Sequence, residues 1–184
     1  PGAASLFRDG FNAAYREAFS PQEALTDIKM LAGVSAEHPV RLRAFRHSGD
    51  EPDKVRAKIY SRTGSIPLSR CVPVFERMGL FVSFENGFPV SPSEQPVEDA
   101  PEVYWVHSLA MRRVDNQPVD IDRAGPDFET AFEAIWSGQA ENDGFNELIL
   151  AAGLSWKEAA LCRALCSYRH QTGLDPTRSV QIEA

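Results

Sequence analysis

VYWVHSLAM, residues 103–111, is the most apolar strand-like run in the chain, and its placement decides the fold. Val103, Tyr104, Trp105 and Val106 are apolar in consecutive positions, so both faces of a strand built from them are apolar. That is the character expected of a strand inside a sheet, between two neighbours. Upstream, LFVSF (80–84) reads as another strand, and LSRCVPVFERMG (68–79) as a helix. Ser69 is the expected N-cap, Cys71, Val74, Phe75 and Met78 face inward, Pro73 falls near the fourth helical position, and Gly79 is the stop. Further upstream the period changes to two. PVRLRAFR (39–46) alternates Val40, Leu42 and Ala44 against Arg41 and Arg43, and KVRAKIY (54–60) alternates Val55, Ala57 and Ile59 against Arg56 and Lys58. The turn-rich HSGDEPD joins them, so the pair is expected to form a hairpin with one face buried.

Residues 6–33 precede this hairpin and read as two helices. Phe7, Phe11, Ala14, Tyr15 and Ala18 make one 3.6-period stripe, and Ala24, Leu25, Ile28 and Leu31 the next, with Ser20-Pro21 as cap and Gly33 as stop. The order is then helix, strand, strand, helix, strand, strand. This is the split β-α-β pattern with its first strand moved to the end, which puts 103–111 inside the sheet. An α+β module is therefore expected: a permuted ferredoxin-like, antiparallel four-stranded sheet with helices on one face, followed by an all-helical segment. The divisions are 1–33 for the packing helices, 34–114 for the sheet and 115–184 for the helical segment.

That last segment opens on a polar linker (115–126) and continues as DFETAFEAIWSG, NDGFNELILAAG and LSWKEAALCRALCSYRHQTG. Ser155 and Glu158 form an S-x-x-E capping box, and Leu161, Ala164, Leu165 and Tyr168 are expected to face inward. A further helix, capped by Asp175 and led by Pro176, stops almost as it starts, and the chain opens on Pro1-Gly2 without Met. Both ends read as those of an excerpt that continues in the native chain.

A formal net charge of −7 argues against a nucleic-acid surface, which needs a basic field. Three cysteines supply no disulfide framework and suit a reducing compartment, so the cytoplasm is expected. No apolar run approaches the roughly 20 residues of a membrane span.

Motifs for chemistry are sparse. There is no glycine-rich phosphate loop, no G-x-S-x-G and no H-E-x-x-H, so neither catalytic nor cofactor-binding residues are assigned. Cys162, Cys166 and His170 follow at i, i+4, i+8, but three collinear ligands reach poorly around one tetrahedral ion, and no metal is assigned. Glu141 and Asp143 sit where a helix begins and read as capping residues ahead of an acid/base pair, and His107 as a satisfied core or interface residue ahead of a general base. Arg41, Arg43, Arg56 and Lys58 line one face of the hairpin. That stripe is either a solvated face or a surface for an anionic ligand or acidic partner.

LSRCVPVFERMGLFV and AENDGFNELILAAGLSWKEAALCRALCSYRHQTG, with the opening FNAAYREAFSPQEALTDI, closely resemble the large bacterial NAD-dependent glutamate dehydrogenases. The family pattern falls on Leu68, Ser69, Pro73, Glu76 and Gly79, and on Glu141, Asp143, Phe145, Asn146, Leu148, Gly153, Leu154, Trp156 and Arg163. Cys162 and Cys166 depart from it. The resemblance implies an ACT-like sheet in a non-catalytic region of a chain whose catalytic lysine and NAD-binding loop lie later. It further implies the rest of that polypeptide as partner, assembly as a homo-oligomer, and an amino-acid effector bound between modules, with a purely structural scaffold as the alternative.

Overall fold

A computed structural model describes residues 6–93 and 100–173. Its elements are α1 (Ala13–Ala18), α2 (Pro21–Ala32), β1 (Val40–Phe45), β2 (Lys54–Ser61), α3 (Leu68–Glu76), β3 (Leu80–Val90), β4 (Tyr104–Arg113), α4 (Ile121–Trp136), α5 (Glu147–Ala152) and α6 (Trp156–Gln171), with a 3-10 turn at Gly144–Asn146. The strands form one antiparallel sheet in the order β1-β2-β4-β3. β4 lies between β2 and β3, as its two-sided apolar character requires. The expected hairpin pairs Val40 with Ser61 through to Phe45 with Arg56. Ser20 caps α2 through the Glu23 N–H, and Ser155 with Glu158 completes the capping box of α6.

Alternation along the strands divides the sheet into two faces with separate cores. On one face Val40, Leu42, Val55, Ala57, Ile59, Leu109 and Met111 meet Phe75 and Met78 near α3, Phe128 and Phe132 of α4, and Ile149 of α5. On the other, Tyr60, Phe88, Val90, Tyr104 and Val106 meet Phe7, Phe11, Tyr15, Ile28 and Leu31. Helices thus lie on both faces, not one, and β2 is buried on both sides: Lys58 and Tyr60 are fully enclosed. The physical reason is that the leading helices bring their own polar side chains to receive Lys58.

Other details differ from the periodicity. The first stripe breaks at Phe11, which pairs with Val90, and Asn12 caps a shorter α1, leaving Ala14 and Ala18 exposed. Leu25 is likewise exposed, and Asp27 is buried in its stead. Helix α3 starts from Pro67 with no side-chain cap, so Ser69 is inside its first turn. Helix α4 begins at Ile121 under an Asp120 cap and runs through Pro126, inside the stretch expected to be linker. Burial of Val119, Ile121, Ala124 and Phe128 outweighs the hydrogen bond that the proline forfeits. It packs along β1 and closes that strand's free edge: Ala44 N–H donates to Glu129 at 2.7 Å and Leu42 N–H to Glu133 at 3.3 Å. Strand β3 is longer than LFVSF and carries a bulge between Val82 and Phe84. In α6 the buried residues are Ala159 and Arg163, while Leu161, Leu165 and Tyr168 are more than half exposed. The helix expected after Asp175 lies outside the described residues.

Candidate functional site

The basic stripe resolves into four different environments. Lys58 and Asp27, both with 0% side-chain exposure, meet at 2.6 Å. Asp27 projects from α2 and accepts from Tyr15 at 2.5 Å and from Tyr60 at 2.7 Å, with Arg43 on the rim at 3.5 Å. Lys58 also lies 3.5 Å from the centroid of the Phe19 ring and 3.6 Å from Glu23. A buried ammonium is tolerable only with such partners, since stripping its water without them costs several kcal/mol. Burial above all, then the charge and hydrogen bond of Asp27, push the Tyr15 and Tyr60 hydroxyls well above the ordinary phenol range. Arg56 instead forks onto Asp50 at 2.6 and 2.8 Å, holding that carboxyl below the usual range, and Arg41 lies 3.6 Å from Glu133. Each cation of the stripe therefore has a carboxylate of this chain beside it.

Of the family-pattern residues in the helical segment, Glu141, Asp143, Phe145 and Asn146 gather around Arg163. Its guanidinium donates to both oxygens of Asp143, at 2.7 and 2.8 Å, and to Asn146 at 3.1 Å, with Glu141 at 3.4 Å. Asn146 returns a bond to the Glu141 carbonyl at 2.9 Å, and Asp143 also accepts the Phe145 N–H. Spacing suggested capping for Glu141 and Asp143; their tie to α6 depends on residues 20 positions away and has no local signal. Gly79, at φ +74°, ends the turn after α3 against Glu147, and a Cβ there would stand 3.0 Å from the Glu147 side chain. Gly153 ends α5 at φ +68°, Pro73 is inside α3, Glu76 is exposed, and Trp156 packs against the core.

His107 has both ring nitrogens engaged. Nδ1 lies 2.7 Å from Glu85, and Nε2 accepts the Ile66 N–H at 3.0 Å, so the imidazole fixes the chain entering α3. Cys162 and Cys166 are half-buried free thiols, and among the described residues no three potential ligands are grouped to hold a metal. No described helix is long and apolar enough to cross a membrane. A cleft of about 500 Å3 opens between the start of β1, α3 and the end of α4, with Trp156 of α6 in its wall.

Three family profiles match successive stretches: glutamate dehydrogenase helical motif 2 over residues 2–34, the glutamate dehydrogenase ACT3 domain over 39–124, and helical motif 3 over 140–184. The NAD-specific glutamate dehydrogenase of Halomonas elongata is 34% identical over 167 residues, and that of Pseudomonas aeruginosa 34% over 168, each alignment covering 91% of this chain. The Mycobacterium tuberculosis protein of the same name is 30% identical over 175 residues, or 92% of the chain. The chain spans about 10% of the length of each of these curated relatives. It belongs to the NAD-specific glutamate dehydrogenase family, in which it is a stretch running from helical motif 2 through the ACT3 domain into helical motif 3.

Proposed function

We propose that this stretch is a non-catalytic regulatory and assembly element of a large bacterial dehydrogenase that converts L-glutamate, NAD and water to 2-oxoglutarate, ammonia and NADH in the cytoplasm. The supporting observation is the fastening of both helical motifs to one sheet: helical motif 2 through Asp27 and Lys58, helical motif 3 through its packing on α3 and α4. An amino acid bound to such a unit shifts the parent between states by the difference in its affinity for them. NAD does not fit here in the usual manner. The sheet is antiparallel, and the two described strand-to-helix turns, 62–67 and 114–120, hold one glycine, Gly64. The cofactor is assigned to a later part of the parent.

The exposed Leu161, Leu165 and Tyr168 on α6, with Phe81 and Phe84 on β3, favour a second reading: a scaffold in a homo-oligomer with no small ligand. The two readings separate in the full-length enzyme. Its rate at fixed glutamate and NAD is followed as other amino acids are added, with molecular mass measured by light scattering, for the native protein and for Leu161→Asp/Leu165→Asp. The sensor reading expects a rate response at constant mass. A flat response together with dissociation of the variant selects the scaffold, and saturable NAD binding or turnover by the isolated 184-residue chain overturns both.

A further inference from the structure

We infer that the cleft between β1, α3 and α4 binds a small zwitterion, a molecule of the α-amino-acid class with a free carboxylate and a free ammonium. The inference deepens the sensor reading and places its ligand within one copy of the module, where sheet and helical motif 3 meet. At about 500 Å3 the cleft is within the range of small-molecule sites. Its walls include Glu37, Thr63, Arg70, Glu133, Trp136 and Trp156.

The charges choose the ligand. Every cation of the hairpin stripe has a carboxylate beside it, whereas Arg70 has none among the described residues. Its guanidinium lies 4.0 Å from the Trp136 ring centroid, and among the described residues only Nη2 makes a hydrogen bond, to the Trp136 carbonyl at 3.4 Å. Stacking holds the fork in place while leaving donors free for a carboxylate. Facing the same space are Glu37 and Glu133. The latter spends Oε1 on the Leu42 N–H and the approach of Arg41, leaving Oε2 without a bond among the described residues. A simple anion would meet two carboxylates, and a simple cation would meet Arg70. A molecule carrying both charges satisfies each end, with the indole of Trp156 to receive its carbon chain. Because Trp156 opens α6 while the other walls lie before helical motif 3, an occupied cleft favours the docked arrangement of the two.

The test is an intrinsic-fluorescence titration, since two of the three tryptophans line the cleft. L-Glutamate, L-aspartate and L-arginine are titrated into the chain, with glutarate and n-butylamine as probes of single charge sign. Arg70→Gln and Glu37→Gln alter exposed side chains and leave the core untouched. The expected result is saturable binding of at least one amino acid, weakened about tenfold or more in each variant, and no response to glutarate or butylamine. Equal affinity for a probe of single charge sign overturns the zwitterion assignment. Amino-acid binding unchanged in both variants overturns the cleft and leaves the sensor reading standing elsewhere. The same holds if the isolated chain is silent while the full-length enzyme responds, and silence in both removes cleft and sensor together.

Discussion

The two faces of the sheet solve the same burial problem by opposite means. The face under α3 and α4 is mainly apolar, and in that sense dry: Phe75, Phe128 and Phe132 fill it against Val55, Ala57, Ile59 and Met111, with His107 as a buried polar member bonded to Glu85 and the Ile66 N–H. The face under α1 and α2 encloses an ammonium, a carboxylate and two phenol hydroxyls among aromatic rings. The dry face draws its stability from area and close packing, which any apolar set of the right volume approximates. The polar face draws its specificity from the pairing of Lys58, Tyr15 and Tyr60 with Asp27, because each of these groups left unpaired is costly. The leading helices can therefore dock in one register only, the one that brings Asp27 onto Lys58.

The largest effects come from breaking each face in its own way. Phe75→Ala leaves a cavity in the dry face and is expected to cost about 3–5 kcal/mol in urea unfolding. Asp27→Leu strands the Lys58 ammonium and is expected to cost a similar amount, about 3–5 kcal/mol, and to release helical motif 2 to proteolysis. The faces differ in how they are rescued. Adding Lys58→Met, Tyr15→Phe and Tyr60→Phe to Asp27→Leu is expected to restore most of the loss, because a buried polar set replaced as a whole by apolar groups is often neutral. No rescue would mean that shape, not charge, fixes the helices.

A middling effect lies in alkaline pH. Tyr15 and Tyr60 are raised above the unfolded phenol value of about 10, so below that pH their contribution is complete. As pH rises past it, the unfolded chain loses protons that the folded chain keeps, and stability falls with a slope approaching about 2.7 kcal/mol per unit for the two groups. Tyr15→Phe/Tyr60→Phe is expected to flatten the slope, and Phe75→Ala to leave it unchanged. Equal slopes in native and double-phenylalanine proteins would place the alkaline transition elsewhere.

What the sequence disclosed follows the same division. Ser20-Pro21, Gly79 and the Ser155–Glu158 box are local devices whose partners lie within a few residues, and each stands where spacing predicts. The interior place of β4 was legible because two-sided apolarity has one common cause. Asp27 carries no local signal of burial, because the lysine that needs it is 31 positions away. Helix α6 misled for a related reason. Its apolar stripe is real, but Asp143 and Asn146 draw Arg163 inward and turn Leu161 and Leu165 out. The cleft had no sequence signal, since its six named wall residues come from positions 37 to 156 with no shared spacing.

The smallest expected effect is the sharpest test of the ranking inside the basic stripe. Arg41, Arg43, Arg56 and Lys58 are equivalent in the alternating pattern, yet burial separates them. Lys58 is fully enclosed, while the Arg43 side chain is 22% exposed and reaches Asp27 only at 3.5 Å, the limit of a hydrogen bond. Arg43→Gln therefore removes a rim contact from a carboxylate already satisfied by one lysine and two tyrosines, and is expected to cost no more than about 1 kcal/mol. Its loss should shrink further in high salt, because a partly exposed pair is screened and the buried one is not. If Arg43→Gln cost as much as Asp27→Leu, the pairing of Asp27 would be shared equally between rim and core. The polar face would then be a surface ion-pair network drawn partly inward, not a buried latch with a charged rim.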